Sequence, residues 1–236
     1  MPLFISNPPQ QCRWHSFNTI AALEQAATQE ILQTAQQAIS LRGAFHIVLA
    51  GGTTPRSVYE SLCNANANWV AWHVYFGDER CLPANHVERN SWMAAQSWLS
   101  HVAIPRTQIN IIPAEKGAQS AASAYTQILA GIELFDLVLL GLGEDGHTAS
   151  LFPGHELGKT PDAPTVIAVE NAPKYPKHRV SLSANRLSAT QKVMFMVSGI
   201  TKQSAVRDWR CGTDIPAAAI SPANGVDVYL EAALLK

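Results

Sequence analysis

The sequence predicts an α/β protein built on a mainly parallel sheet with helices on both faces. Short apolar runs alternate along the chain with helix-length amphipathic segments, the order required by parallel strands joined by crossover helices. Three of the apolar runs end in glycine-bearing turns, at Gly51, Gly77 and Gly141, which are expected at helix N-termini, whose free N–H groups bind anions. The 236 residues are enough for a large core. No internal repeat, low-complexity tract or linker-like shift in composition divides them, so a single domain over 1–236 is expected.

Each element has a local reason. Asn18 can cap a first helix, in which Ile20, Leu23, Ala27, Ile31, Ala35 and Ile39 recur every three or four residues until Gly43 stops it. Residues 45–50 form a short apolar strand that runs into Gly51-Gly52-Thr53-Thr54-Pro55. Proline suits the first turn of the next helix, which extends to about residue 63. Residues 70–76 form the next strand, leading into Gly77-Asp78-Glu79-Arg80. A helix over 90–99, a short strand at 109–112 and a helix over 118–130 follow. The most apolar strand, 136–140, then opens into the loop Gly141-Leu142-Gly143-Glu144-Asp145-Gly146-His147. Residues 166–169, 179–183, 192–198 and 226–230 read as further strands, and Gly199 to Lys202 leads into a helix ending near Arg210.

Composition limits the function classes. A formal net charge of −1 with only 15% charged residues gives no basic footprint for nucleic acid and no polybasic membrane patch. A phosphorylated ligand would therefore need a local cluster of cations. Cys12, Cys63, Cys81 and Cys211 have neither C-x-x-C nor zinc-finger spacing and fit a reducing compartment. No stretch approaches the ~18 apolar residues of a membrane span. Residues 1–10 lack the basic start of a signal peptide. A cytoplasmic protein is expected, without a nucleic-acid or membrane partner. The sequence sets no oligomeric state and is compatible with a monomer.

In open α/β sheets ligands bind beyond the carboxyl ends of the strands. Asp145 and His147 fall at such an end, among glycines that allow close approach. The alternative is a solvated loop histidine beside a turn-forming aspartate, and whether the two side chains touch is open. Asp145, His147 and His155 offer a metal reading, but no third ligand has a recognisable spacing, so no metal is expected. Gly51, Gly52, Thr53 and Thr54 supply backbone N–H groups, two hydroxyls and a helix start, which suit a phosphate. An ordinary turn with a capping threonine is the bland alternative. Asp78 and Arg80 follow a strand end, where charge is costly unless paired or used. Arg179 opens a strand, and Lys202 sits at a helix start, where its charge opposes the dipole unless an anion is near. Solvation is the alternative for both. Lys174, Lys177 and His178 read as a solvated loop. No G-x-G-x-x-G or P-loop pattern is present, which argues against dinucleotides and nucleoside triphosphates, and no cofactor is expected.

The segment Gly143 to Gly154 closely resembles the signature of the 6-phosphogluconolactonases, which hydrolyse the lactone of 6-phosphogluconate in the pentose phosphate pathway. Gly51 to Pro55 is similar to the Gly-Gly-Ser-Thr-Pro phosphate loop that these enzymes share with glucosamine-6-phosphate deaminases, with Thr53 in the serine position. Asp78, Glu79, Arg80, Pro83, Asn90 and Ser91 match a further family pattern, in which the last two residues more often stand in the reverse order. The resemblance implies a modified Rossmann-like sheet, similar to the deaminases and to ribose-5-phosphate isomerase. It also implies that Arg80, Arg179 and Lys202 contact the phosphorylated substrate. The deaminases share the Asp-Gly-His but use a glutamate five residues after the histidine, where this chain has Phe152. Lactone hydrolysis by water activated on His147 is therefore expected, with Asp145 fixing its tautomer and N–H groups near Gly51 or Gly143 receiving the oxyanion. A deaminase or isomerase, and a non-catalytic sugar-phosphate sensor, are the alternatives. The sensor should have lost the Asp–His pair.

Overall fold

The computed structural model describes residues 10–236; of the N-terminal segment read above for a signal peptide, residues 1–9 lie outside the described residues. Among the described residues, nine strands form two sheets. The larger has six strands in the order β1-β9-β8-β5-β2-β3: β1 (Cys12–Phe17), β9 (Val226–Glu231), β8 (Thr190–Val197), β5 (Phe135–Leu140), β2 (Phe45–Leu49) and β3 (Trp72–Phe76). Every pairing in it is parallel. β5 is buried at all of its residues, as a strand covered on both faces must be. The smaller sheet is antiparallel and has the order β4-β7-β6: β4 (Asp78–Arg80), β7 (Arg179–Leu182) and β6 (Val166–Val169). Buried side chains of both sheets belong to one contiguous core.

From β2 the chain steps outward to β3, and from β5 it steps the other way, to β8 and then β9. The adjacent carboxyl ends of β2 and β5 therefore release their loops in opposite directions and leave a crevice between them. Gly77 joins β3 to β4 and couples the two sheets. Its N–H donates to the Leu49 carbonyl at 3.0 Å, and its carbonyl accepts from the Leu182 N–H at 2.8 Å. The antiparallel sheet thus stands at the carboxyl end of the parallel one.

The helices are α1 (Ile20–Arg42), α2 (Thr53–Leu62), α3 (Asn90–Ala94, continued by a π-helical turn over Ala95–Leu99), α4 (Ala118–Ile128), α5 (Ala184–Ser188) and α6 (Gln203–Arg210). Leu23, Ala27, Ile31, Ala35 and Ala38 form the buried face of α1. Its cap is Thr19, not Asn18: the Thr19 hydroxyl accepts from the Ala22 N–H at 3.1 Å. Gly43 ends the helix at φ 78°, and its N–H meets the Ile39 carbonyl.

Other departures from the sequence reading have clear causes. β1 escaped notice because it is an edge strand of mixed polarity, with no unbroken apolar run. The stretch 109–112 forms no strand; Ile109 makes only an isolated bridge to Val74. The turn after β3 leads not to a helix but into β4, and of the three glycine turns only the one at Gly51 enters a helix directly.

Thr19→Ala should cost about 1 kcal/mol of stability, the usual worth of a capping hydroxyl, and Asn18→Ala should be near neutral. Urea denaturation of the two variants separates the two caps.

Candidate active site

The crevice between β2 and β5 is a cavity of 310 Å³. Leu49 to Gly52 line it from the end of β2, and Leu139 to Gly143 from the end of β5. Gly77, Asp78, Arg80, Asn90, His147, Thr148, Ala149, Lys174, Arg179 and Lys202 complete the lining. Of the residues expected at a site, Gly51, Gly52, Asp78, Arg80, His147, Arg179 and Lys202 therefore share one wall system. Thr53 and Thr54 do not line it: Thr53 is exposed at the first position of α2, and Thr54 is buried with its hydroxyl 2.6 Å from that of Ser198. At this turn the wall is backbone, so any phosphate contact would come from N–H groups at the start of α2.

Asp145 stands behind the wall and touches His147 directly. Its Oδ1 is hydrogen-bonded to His147 Nδ1 and accepts the His147 backbone N–H at 3.2 Å. With Nδ1–H donated to the carboxylate, Nε2 is the nitrogen left to accept a proton. The loop is shaped around this ring. A Cβ on Gly143 would lie 1.9 Å from Nδ1, so only glycine lets the imidazole pack there. The Gly143 N–H donates to the His147 carbonyl at 2.7 Å, which removes it as an oxyanion donor. Burial pulls the His147 pKa below its ordinary value, against the opposing pull of Asp145. Burial also opposes ionisation of Asp145, but its hydrogen bond to His147 and that ring's charge outweigh it and hold the carboxyl low. The other side of the loop is strained: Ala149 has φ 48°, a left-handed value that costs a non-glycine residue energy and clusters at functional sites.

Asp78-Glu79-Arg80 is no surface ion pair. Side chains along a strand alternate in direction; Asp78 and Arg80 face the cavity, and Glu79 is fully buried. Glu79 Oε1 accepts the N–H groups of Arg80 and Asn90, each at 2.8 Å. Its Oε2 accepts Ser91 N–H at 2.8 Å and Ser91 Oγ at 2.7 Å, and lies 3.3 Å from Arg89 Nε. Arg89, also buried, continues to Glu115 at 2.8 Å and to the Ile112 carbonyl at 2.7 Å. Asp78 is fixed by Asn90 Nδ2 at 2.9 Å and Ser150 Oγ at 2.6 Å. Burial pushes its carboxyl pKa up, against Ser150 and Arg179. A carboxylate repels a phosphate, so Asp78 suits hydroxyl groups instead.

Among the described residues, no carboxylate lies within salt-bridge distance of the cavity's cations. Arg80 donates to the Glu88 carbonyl. Arg179 lies directly opposite Arg80 in the β4–β7 register, a like-charge pairing that an anion between them would relieve. Burial lowers the pKa of Arg179 and of Lys202, Asp78 and Glu144 respectively opposing. Lys174, read from sequence as part of a solvated loop, lines the cavity. Nothing local marks it, because the β6–β7 hairpin brings it there. Ser150 was missed as well, although it lies within the specific Gly143–Gly154 segment. Phe152 is fully buried, with its ring 4.9 Å from that of His147 and 5.9 Å from that of His155. Among the described residues no three His, Cys, Asp or Glu side chains are grouped as metal ligands would be.

A doubly layered α/β fold with a cation-lined crevice at its topological switch point defines the class: a protein built to take a small anionic ligand at its strand ends. The chain belongs to the glucosamine-6-phosphate isomerases/6-phosphogluconolactonase family, whose model matches residues 18–229. It is 37% identical over 179 residues to a 6-phosphogluconolactonase of Synechocystis, covering 72% of this chain and 73% of that one. It is 34% identical over 215 residues to the Mycobacterium leprae 6-phosphogluconolactonase, covering 85% and 86%. The solved structure of Trypanosoma brucei 6-phosphogluconolactonase superposes with a TM-score of 0.85 at 27% identity, covering 95% of this chain and 98% of that one.

Glu79→Ala would leave the buried N–H groups of Asn90 and Ser91 and the Ser91 hydroxyl without their acceptor and remove one of the two carboxylates beside buried Arg89, so a loss of about 3–5 kcal/mol is expected. Chemical denaturation measures it. A loss below 1 kcal/mol would show that the cluster does not hold β4 to α3.

Proposed function

We propose that this protein hydrolyses 6-phospho-D-glucono-1,5-lactone to 6-phosphogluconate, the lactonase step of the oxidative pentose phosphate pathway. The observation that carries this reading is the Asp145–His147 pair on the wall of a cation-lined cavity, with buried Phe152 packed against the imidazole. The pair is the equipment of general-base hydrolysis, and no carboxylate occupies the position where the similar deaminases place one. The names of the relatives support the same choice.

His147 Nε2 takes a proton from water as the water oxygen bonds to the lactone carbonyl carbon. A tetrahedral oxyanion forms at that carbon. The bond from that carbon to the ring oxygen then breaks, and the ring oxygen takes the proton from the imidazolium. The product acid ionises to the carboxylate. Asp145 keeps Nδ1 protonated throughout and stabilises the transient imidazolium. Arg80, Arg179, Lys202 and the Gly51–Gly52 turn hold the phosphorylated end, and Asp78 accepts from hydroxyls. Each step uses the chain's own residues, with no metal or organic cofactor. The partner is a small phosphorylated lactone, not nucleic acid or a membrane. No helix among the described residues is long and apolar enough to cross a membrane, and four free cysteines suit a cytoplasmic setting.

The decisive assay measures opening of 6-phosphogluconolactone against its spontaneous rate in water. No excess over background, or ammonia release from glucosamine 6-phosphate, would refute the reading. His147→Ala should lower kcat by about 10²–10⁴-fold with product affinity nearly intact, and Asp145→Asn should cost less. Because the base must be neutral, wild-type kcat/KM should fall as pH drops through the His147 pKa, which lies below the ordinary histidine value. A His147→Ala variant with near-normal kcat would assign the base elsewhere.

Activity should also survive exhaustive chelation. A loss that added zinc restores would mean that His147 and its neighbours act as ligands.

A further inference from the structure

The loop between β6 and β7 engages Arg179 through its backbone. Arg179 Nε donates to the Pro176 carbonyl at 3.1 Å and Nη2 to the Tyr175 carbonyl at 2.9 Å, with the Lys174 carbonyl 3.5 Å from Nη2. The neck of the loop is closed by the Ala172 N–H on the Lys177 carbonyl at 2.9 Å. The guanidinium carbon lies 5.6 Å from the centroid of Phe152, the ring that packs on His147. A rigid planar fork of N–H donors can hold successive carbonyls in this way, and a lysine ammonium cannot. Lys174 itself is exposed and lines the cavity.

We propose that Arg179, besides its own contact with the phosphorylated end, straps residues 174–176, and that Lys174, on the loop so held, also contacts the phosphoryl group of the substrate. The inference rests on the lactonase reading above. Nε and Nη2 of Arg179 are engaged by the loop, and the Lys174 ammonium has three donors and suits a dianion approached from solvent. Lys174 lines the same cavity as His147 and Lys202, and its charge adds to the burial that lowers the pKa of both. The other charges acting on His147 are Asp145 in its own loop and Asp78 at the start of β4.

The test is a double-mutant cycle on the whole chain. Lys174→Ala should raise KM for 6-phosphogluconolactone, and Kd for 6-phosphogluconate, by about 10- to 100-fold with kcat little changed. Lys174→Arg should restore most of the loss. Removing the Lys174 charge raises the imidazole pKa, so the acid limb of kcat/KM should move to higher pH. Arg179→Ala should show both effects with the larger loss, since it removes a contact and the strap together, and adding Lys174→Ala to it should cost much less than Lys174→Ala costs in the wild type. Because Arg179 is buried, the cycle is repeated with Arg179→Lys, which keeps the charge, lacks the fork and should resemble Arg179→Ala. Unchanged KM in Lys174→Ala overturns the contact, and losses that multiply in the double variant overturn the strap. A wild-type protein that fails to exceed the spontaneous rate overturns the lactonase reading instead.

Discussion

The site depends on one buried carboxylate. Glu79 gathers the N–H groups of Arg80, Asn90 and Ser91, the Ser91 hydroxyl and the Arg89 guanidinium around its two oxygens. Because strand neighbours alternate, anchoring Glu79 inward obliges Asp78 and Arg80 to face the cavity. The same contacts seat the first turn of α3, and Asn90 then reaches back to Asp78. An unpaired carboxylate at this depth would be costly. The arrangement persists because every lone-pair direction finds a donor.

The electrostatics of the cavity follow from a second constraint. Its arginines are held by backbone carbonyls rather than by carboxylates. A carbonyl fixes the geometry of a guanidinium without cancelling its charge. Arg13, Arg42 and Lys192, away from the cavity, are instead paired with Asp227, Asp136 and Glu30. A chain with net charge −1 can in this way concentrate uncancelled positive charge at one place. Asp78 is the carboxylate in that lining, which separates a part suited to hydroxyls from a part suited to an anion.

Much of the fold was legible because its signals are local. The apolar runs of β2, β5 and β8, the repeat along α1 and the stop at Gly43 follow from side-chain type and backbone freedom over a few residues. The specific segment around His147 was legible for the same reason: its glycines are spaced for one ring, and Gly143 is the position where a Cβ would collide with it. The cap shows the limit of such signals. Asn18 and Thr19 are both good capping types, and only the backbone path selects Thr19.

By itself, then, the sequence determined the α/β class, the parallel strands, the glycine turns at their ends and the pairing of an acid with a histidine in one loop. These rest on chemistry within a single element or turn. Only the tertiary structure decided that Asp145 touches His147, that β4, β7 and β6 form a second sheet, that Glu79 meets Arg89 and Arg89 meets Glu115, and that Lys174 faces the cavity while the Thr54 hydroxyl turns to Ser198. Those outcomes depend on register and on hairpin geometry between distant segments. Residue type alone does not encode which of several donors a buried acceptor will meet.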